Sequence, residues 1–523
     1  MSRQLQTLPR LVVELNNEAL AVDDLRTLWE IRVLQRLSLP TVCEMTFIEP
    51  TVSLSENGVA APGAPMKIMV PGFDEPLFRG EVTAVEHIYD PSHGREIHVR
   101  AYDVLHRLRK RQPVRTHVEL TLVDLMTELV SDLNINVSAA ETGPLWPRLV
   151  QYRQSDFELL AEVAERCGLY FTLQDETLHI LTLEGDGPDV ELKLGESLLE
   201  ARIEINADAA IRSVSTKGWD PLRVEPHEGK AEEPRTGRNV NADISPDDVG
   251  GSGERTLVDT VLTNDLQADA IAQAELDLRV ARSVTLSGVA EGNPQLRPGA
   301  RVQIENVAKR LAGRYVITSV DHTFDSVKGF VSTISTAPPP QSKRNVACGV
   351  ALGIVTHVDD PEGYGRVQVK LPTYNDMETD WMGVLTPGAG LGKGLLALPD
   401  VDDTVLVLFP SGDPAQGLVL GGLYGVLTRE EWDWGVEDAA VKRYTLRTPG
   451  GQRIRLDDAK QVLRLENSDG SYIEMSPEKV VVHSQQDMEI EAPGRTLVIR
   501  ANKVDFQHAP EQKPVNHDNP VIQ

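Results

Sequence analysis

A two-residue apolar beat in the last quarter of the chain limits the possible folds more tightly than any other feature. Ile454/Leu456, Leu463/Leu465, Ile473/Met475, Val480/Val482, Met488/Ile490, Leu497/Ile499 and Val504/Phe506 are i, i+2 pairs whose first members lie 7 to 10 residues apart. Side chains at i and i+2 share one face of a strand. Between the pair members stand Arg455, Arg464, Glu474, Val481, Glu489, Val498 and Asp505, so most of the opposite faces carry charge. Turn residues separate the pairs, at Asp457-Asp458, Asn467 to Gly470, Ser476-Pro477, Gln485 to Asp487 and Pro493-Gly494. Residues 444–508 read as a ladder of short strands with one dry face and one wet face.

Nothing inside that stretch can cover the dry face, because it holds no helical pattern and no second set of strands. Two coverings are open. The ladder is an ordinary antiparallel sheet packed on the preceding domain, or three identical ribbons wind about one axis and bury their dry faces in a prism. In the second case the fourteen residues of the seven pairs form the trimer core. At roughly 4.8 Å per strand, seven strands give a rod on the order of 35 Å long.

A chain of 523 residues has room for several domains, each with its own core. Without a run long and apolar enough to span a bilayer, and with a start that lacks the layout of a signal peptide, it is expected to be made in the cytoplasm. Cys43, Cys167 and Cys348 form no metal or disulfide spacing and are expected to be buried free thiols. The formal charge of −27 excludes a large contact with a phosphate backbone, so no nucleic-acid partner is expected. The 5% aromatic content argues against a surface that stacks bases or sugars.

Residues 11–100 are strand-rich, with LVVEL, IRVLQRL, VCEMTFIE, MKIMV, LFRGEVTAVEHIY and EIHVRAY between turn signals, which predicts a barrel or sandwich. His87, His93 and His98 fall here at a spacing that fits no metal signature. The pattern predicts a helix over 121–132, capped by Thr121, with Leu122, Leu125, Met126 and Leu129 inward. It predicts another after Ser155, with Glu158 completing a capping box and Gly168 ending it, followed by a hairpin of residues 169–173 and 177–181. Residues 221–257 are polar and rich in Pro and Gly, an excursion expected to be partly ordered at best. A third helix is predicted over 264–282 with Leu266, Ile271, Ala274, Leu278 and Ala281 inward. Strands return up to residue 336, and a linker precedes at least five strands that fit an OB-type barrel.

Gln151-Tyr152, Ser155-Asp156-Phe157, Leu160, Glu165, Gly168 and Tyr170-Phe171 resemble a hallmark stretch of the VgrG and phage late-control D family, hub proteins of contractile tails. The run from Leu296 to Asp325 is similar to the closing barrel of the same family. Gly365 to Val369, Trp381 with Gly390 to Gly394, Val405 to Phe409, Gly412-Asp413-Pro414 and Leu420 to Tyr424 resemble the spike OB domain of VgrG and phage baseplate-spike proteins. Asp402 stands where that family usually has glycine, which puts a local turn in doubt.

The resemblance implies a mainly β chain: β-barrel hub domains with small α insertions, an OB-fold collar and a C-terminal intertwined trimeric β-helix, or β-prism. The implied division is a first hub barrel over 1–110, an α/β hub insertion over 111–190 and a second hub barrel over 191–336 with the polar excursion 221–257. A linker over 337–348, the OB fold over 349–425, a connector over 426–443, the spike over 444–508 and a tail over 509–523 complete it. Two barrels per chain in a homotrimer would present six similar faces to a hexameric tube ring.

The implied role is the central hub and spike of a contractile injection system, carried forward mechanically to puncture a target membrane. The implied partners are an Hcp-like inner-tube protein, baseplate proteins and a separate PAAR-type tip, since His508 and His517 are isolated and give no His-X-His iron site. Assembly into an injection particle is implied, with release from the cell left open.

No catalytic residue, cofactor or metal site is expected. Glu430, Glu431 and Asp433 lie on a connector too short to build a glycosidase pocket, and no hydrolase, phosphate-loop or dinucleotide motif occurs in a fitting context. The rival reading is an OB-fold carbohydrate-binding tail protein of a phage-like particle. Arg366, Lys370, Lys393 and Trp381 are the residues it would use, too few for a basic groove.

Overall fold

Alternating burial along short strands builds most of this molecule, and Val42–Ile48 shows how. In VCEMTFI the residues Cys43, Met45 and Phe47 are buried while their neighbours are half-exposed. The strand pairs on one side with Leu28–Arg36, Ile31 opposite Met45, and on the other with Gly94–Tyr102, Val99 opposite Met45, so one buried row crosses three strands. The computed structural model describes residues 11–506 apart from 56–58, 91–93, 221–224, 243, 342–347 and 425–433. The chain separates into two units, Met1–Tyr424 and Gly425–Gln523.

In the first unit the two strand-rich regions share one eleven-stranded sheet. They meet where Ser319–Asp325 pairs antiparallel with Leu28–Arg36, His322 opposite Val33 and Phe324 opposite Ile31. Arg32 crosses the seam to Asp321, its Nε 2.8 Å from Oδ2. Each region keeps its own apolar core, one around Met45, Phe47 and Val99 and one around Leu286, Val302 and Tyr315.

Between them lies an α/β layer whose helices follow their caps. Leu122–Val130 starts at Thr121, whose side chain accepts from Asp124 N while Asp124 reaches back to the cap. Asp156–Cys167 starts at Ser155 with the same reciprocal pair to Glu158. It ends at Gly168, which is left-handed at φ 64°. A Cβ at Gly168 would also meet Ala274 Cα at 2.8 Å, so both the backbone and the packing require glycine. The strands Tyr170–Gln174 and Thr177–Leu181 close the expected hairpin.

Two expectations for the next segment need correction. The helix forms, as Asp265–Ser283, but Leu266 on its supposed inner face is exposed and the buried side is Gln267, Ala268, Ala272, Leu276, Asp277 and Leu278. Hydrophobicity misplaces this face because small and polar residues line it. Gly229 of the facing strand approaches so closely that a Cβ there would lie 2.3 Å from Ala268 C. Asp277 is buried against Arg235, which gives it a backbone N–H at 2.6 Å and its guanidinium Nε at 2.9 Å. The polar excursion is also more ordered than expected: Glu225–Ala231 and Glu254–Val261 flank Ser213–Asp220 in a three-stranded sheet beneath this helix. A small apolar cluster of Val214, Ala231, Ala272 and Leu276 joins this sheet to the helix, and ion pairs surround it.

Residues 349–422 form a six-stranded sheet around Val355, Val367, Val369, Val405, Val407 and Phe409. Asp402 takes φ 71° in the turn before Thr404–Phe409, the left-handed backbone that explains why glycine suits this position. Cys43 and Cys167 are buried, but Cys348 is exposed just before the first strand of this sheet, where no core reaches it.

Candidate assembly interface

After a short hairpin of Val436–Glu437 with Ala440–Val441, the described part of the second unit forms a ribbon of five antiparallel strands in sequence order, Arg443–Arg447, Arg453–Asp457, Val462–Glu466, Tyr472–Met475 and Val480–His483. Its register brings the apolar pairs into two columns on one face. Tyr444, Leu456, Leu463, Met475 and Val480 follow one another across the strands, beside Leu446, Ile454, Leu465, Ile473 and Val482. The first strand was missed as a pair, although Tyr444 and Leu446 show the same i, i+2 signal.

The opposite face is tied by charge. Arg464 reaches Glu474 at 2.9 Å and Glu466 at 3.1 Å, with its guanidinium 3.9 Å above the Tyr472 ring centre. Arg443 and Lys460 N turn toward Asp457, which is buried at the end of the second strand.

Among the described residues of this unit, none covers the apolar columns. Leu465 and Ile473 are about 40% and 38% exposed and Val480 66% exposed, while Leu463 is half-buried. Ile454, Leu456, Met475 and Val482 are exposed as well. An open groove runs along Leu446, Ile454, Leu465, Ile473, Val482 and Met488. An exposed apolar patch of this extent marks a surface for association.

The expected seven-strand ladder is shorter in the single chain. Met488, Ile490, Leu497, Ile499, Val504 and Phe506 are exposed and lie on no strand among the described residues. The Pro493-Gly494 turn is present, with Gly494 at φ 66°. A strand exists only by pairing, and among the described residues past His483 none offers these segments an edge.

Of the cations considered for a ligand groove, Arg366 is buried against Asp360, its Nη2 2.7 Å from Oδ1. That guanidinium, with the backbone N–H groups of Glu362, Tyr364 and Arg366, holds the Asp360 carboxyl far below the usual range. Lys370 faces Asp376 at 3.5 Å and Trp381 is half-buried, so these groups build a loop and a core edge, not a stacking platform. Glu430, Glu431, Asp433, His508 and His517 lie outside the described residues.

This arrangement defines a hub-like sheet assembly joined to an OB domain and followed by a β ribbon with an uncovered apolar face. The model of the Alg8 N-terminal domain family matches residues 31–326, more than half of the chain, and the chain belongs to that family. Residues 351–424 match the model of the Type VI secretion system/phage-baseplate injector OB domain.

Among curated relatives, the Type VI secretion system spike protein VgrG4b of Pseudomonas aeruginosa is 29% identical over 159 residues, covering 29% of this chain and 18% of that one. The matched stretch thus spans less than a fifth of that relative. The fold is similar to a chain of the Francisella PdpA-VgrG complex, with a TM-score of 0.55 at 9% identity over 91% of this chain and 80% of that one. It is also similar to the E. coli c3393 protein, a component of the type VI secretion system with structural similarity to the T4 tail proteins gp27 and gp5. There the TM-score is 0.51 at 12% identity over 76% of this chain and 96% of that one. In sequence and in fold the chain is VgrG-like.

Proposed function

We propose that this chain is the homotrimeric hub and spike of a contractile injection system, the OB domain forming a collar and three ribbons closing into a β-prism. The observation that carries the reading is the ribbon's pair of apolar columns backed by a charged face. A monomer has no use for such a surface, whereas a threefold axis covers every column with two others. The residues past Val482 then find their strand partners on neighbouring chains. On this reading an Hcp-like tube meets the hub, baseplate proteins surround it, and a PAAR-type tip seats on the far end of the prism. Sheath contraction drives the rod through the target envelope, and the work is mechanical. The particle assembles from chains made in the cytoplasm.

The test is the solution mass of the intact chain beside a chain ending at Arg443. A trimer that weakens or dissociates on truncation supports the interchain prism. A well-folded monomer with the ribbon intact overturns it.

A further inference from the structure

We propose that Asp220, Glu225 and His227 form a binding site for one divalent transition-metal ion in the hub, with zinc the ion their donor set suits. This inference is independent of the spike reading. The two strands Ser213–Asp220 and Glu225–Ala231 pair so that Asp220 faces Glu225 and His227 faces Gly218, which has no side chain to fill the space. Glu225 and His227, two apart, share one face of their strand. One ligand atom from each of the three residues lies within 4.8 Å of the others.

The imidazole is held as a metal ligand needs. His227 Nδ1 lies 2.9 Å from Oδ1 of Asp265, the first residue of the helix Asp265–Ser283. A carboxylate accepts, so Nδ1 carries the proton and Nε2 presents its lone pair. This is the carboxylate–histidine arrangement that orients an imidazole toward a metal and raises its basicity. Nε2 itself is buried without a hydrogen-bond partner among the described residues. It lies 3.7 Å from Glu225 Oε1, too far for a hydrogen bond. Ligand atoms about 2.0–2.1 Å from a tetrahedral zinc lie roughly 3.3 Å apart, so small side-chain rotations close the site.

One imidazole nitrogen and two carboxylate oxygens suit zinc better than calcium or magnesium, which prefer all-oxygen shells. Three protein ligands leave the fourth position to water. Bound there, the ion would pin the end of a hairpin built from polar residues to the strand beside it.

The experiment uses the full chain, stripped with a chelator and titrated with zinc chloride against a chromophoric competitor, with bound metal counted by elemental mass spectrometry. The expected result is one saturable equivalent per chain and a higher melting temperature when loaded. His227→Gln should lower the affinity more than a hundredfold. Asp265→Asn removes no ligand and should weaken binding about 10–100-fold through the imidazole. His98→Gln, whose ring stands between Glu86 and Glu96, should change nothing. If His227→Gln does not fold, Glu225→Gln at a half-exposed position decides. No saturable binding, or binding that both site variants retain, overturns the proposal and leaves an imidazole held between Asp265 and Glu225.

Discussion

Replacing Leu465 with aspartate tests the ribbon's dry face at its centre, where Leu465 lies between Ile454 and Ile473 in register. Fully burying a leucine is worth about 1.5–3 kcal/mol. Leu465 is 40% exposed, so the covering chains of the proposed trimer would supply roughly 1 kcal/mol at this position in each copy. Leu465→Asp forfeits that and buries a carboxylate, at an effective cost of several kcal/mol per ion.

In the proposed trimer, threefold symmetry would bring three such charges to one level of the axis, so the penalty per trimer would be on the order of 10 kcal/mol. At 1.4 kcal/mol per tenfold, that weakens association through the ribbon by about seven orders of magnitude. Sedimentation velocity over a range of concentrations reads the mass, and amide exchange across residues 454–482 reads ribbon protection. Leu465→Met, close in volume, should stay assembled. So should Thr445→Asp, on the opposite face one residue from Tyr444. The interchain prism is refuted if Leu465→Asp has the same mass and protection as the parent, or if Thr445→Asp is equally disruptive.

Three further outcomes follow from the first unit. Arg366→Met removes the guanidinium from an Asp360 carboxylate that keeps its backbone N–H donors, and should destabilise the OB domain by roughly 1–3 kcal/mol, read as a lowered melting transition. His322 is wholly buried with Nδ1 2.8 Å from Ser332 Oγ, and burial pushes its pKa down to about 4. The unfolded chain takes up that proton near pH 6.5 while the folded chain resists, so the contribution is complete above pH 6.5 and lost as pH falls toward 4. Denaturant titrations should show about 3 kcal/mol disappearing across that window, and His322→Gln should remove this part of the slope. Gly168→Ala forces a Cβ onto a left-handed backbone and against Ala274, and should cost about 1–3 kcal/mol in the same assay.

Local rules made much of this chain legible from its residues alone. Thr121 and Ser155 announced two helices through their reciprocal caps, Gly168 marked an end, and the alternation in Val42–Ile48 or Ile454–Leu465 assigned the dry faces. Each signal comes from residues a few positions apart, so neighbouring chemistry decides it. Pairing across long separations left no comparable trace. The seam of Arg32 and Asp321 joins strands nearly three hundred positions apart, and the burial of Gln267 and Asp277 depends on Arg235 and on the absence of a side chain at Gly229.

The metal-site candidate was invisible for the same reason. Asp220, Glu225, His227 and Asp265 form no familiar spacing, and only the sheet register with the helix start above it gathers them. The sequence determined which faces are apolar because strand periodicity is local. Which groups meet was decided by tertiary structure, because hydrogen-bond register and close packing are satisfied between segments and not within them.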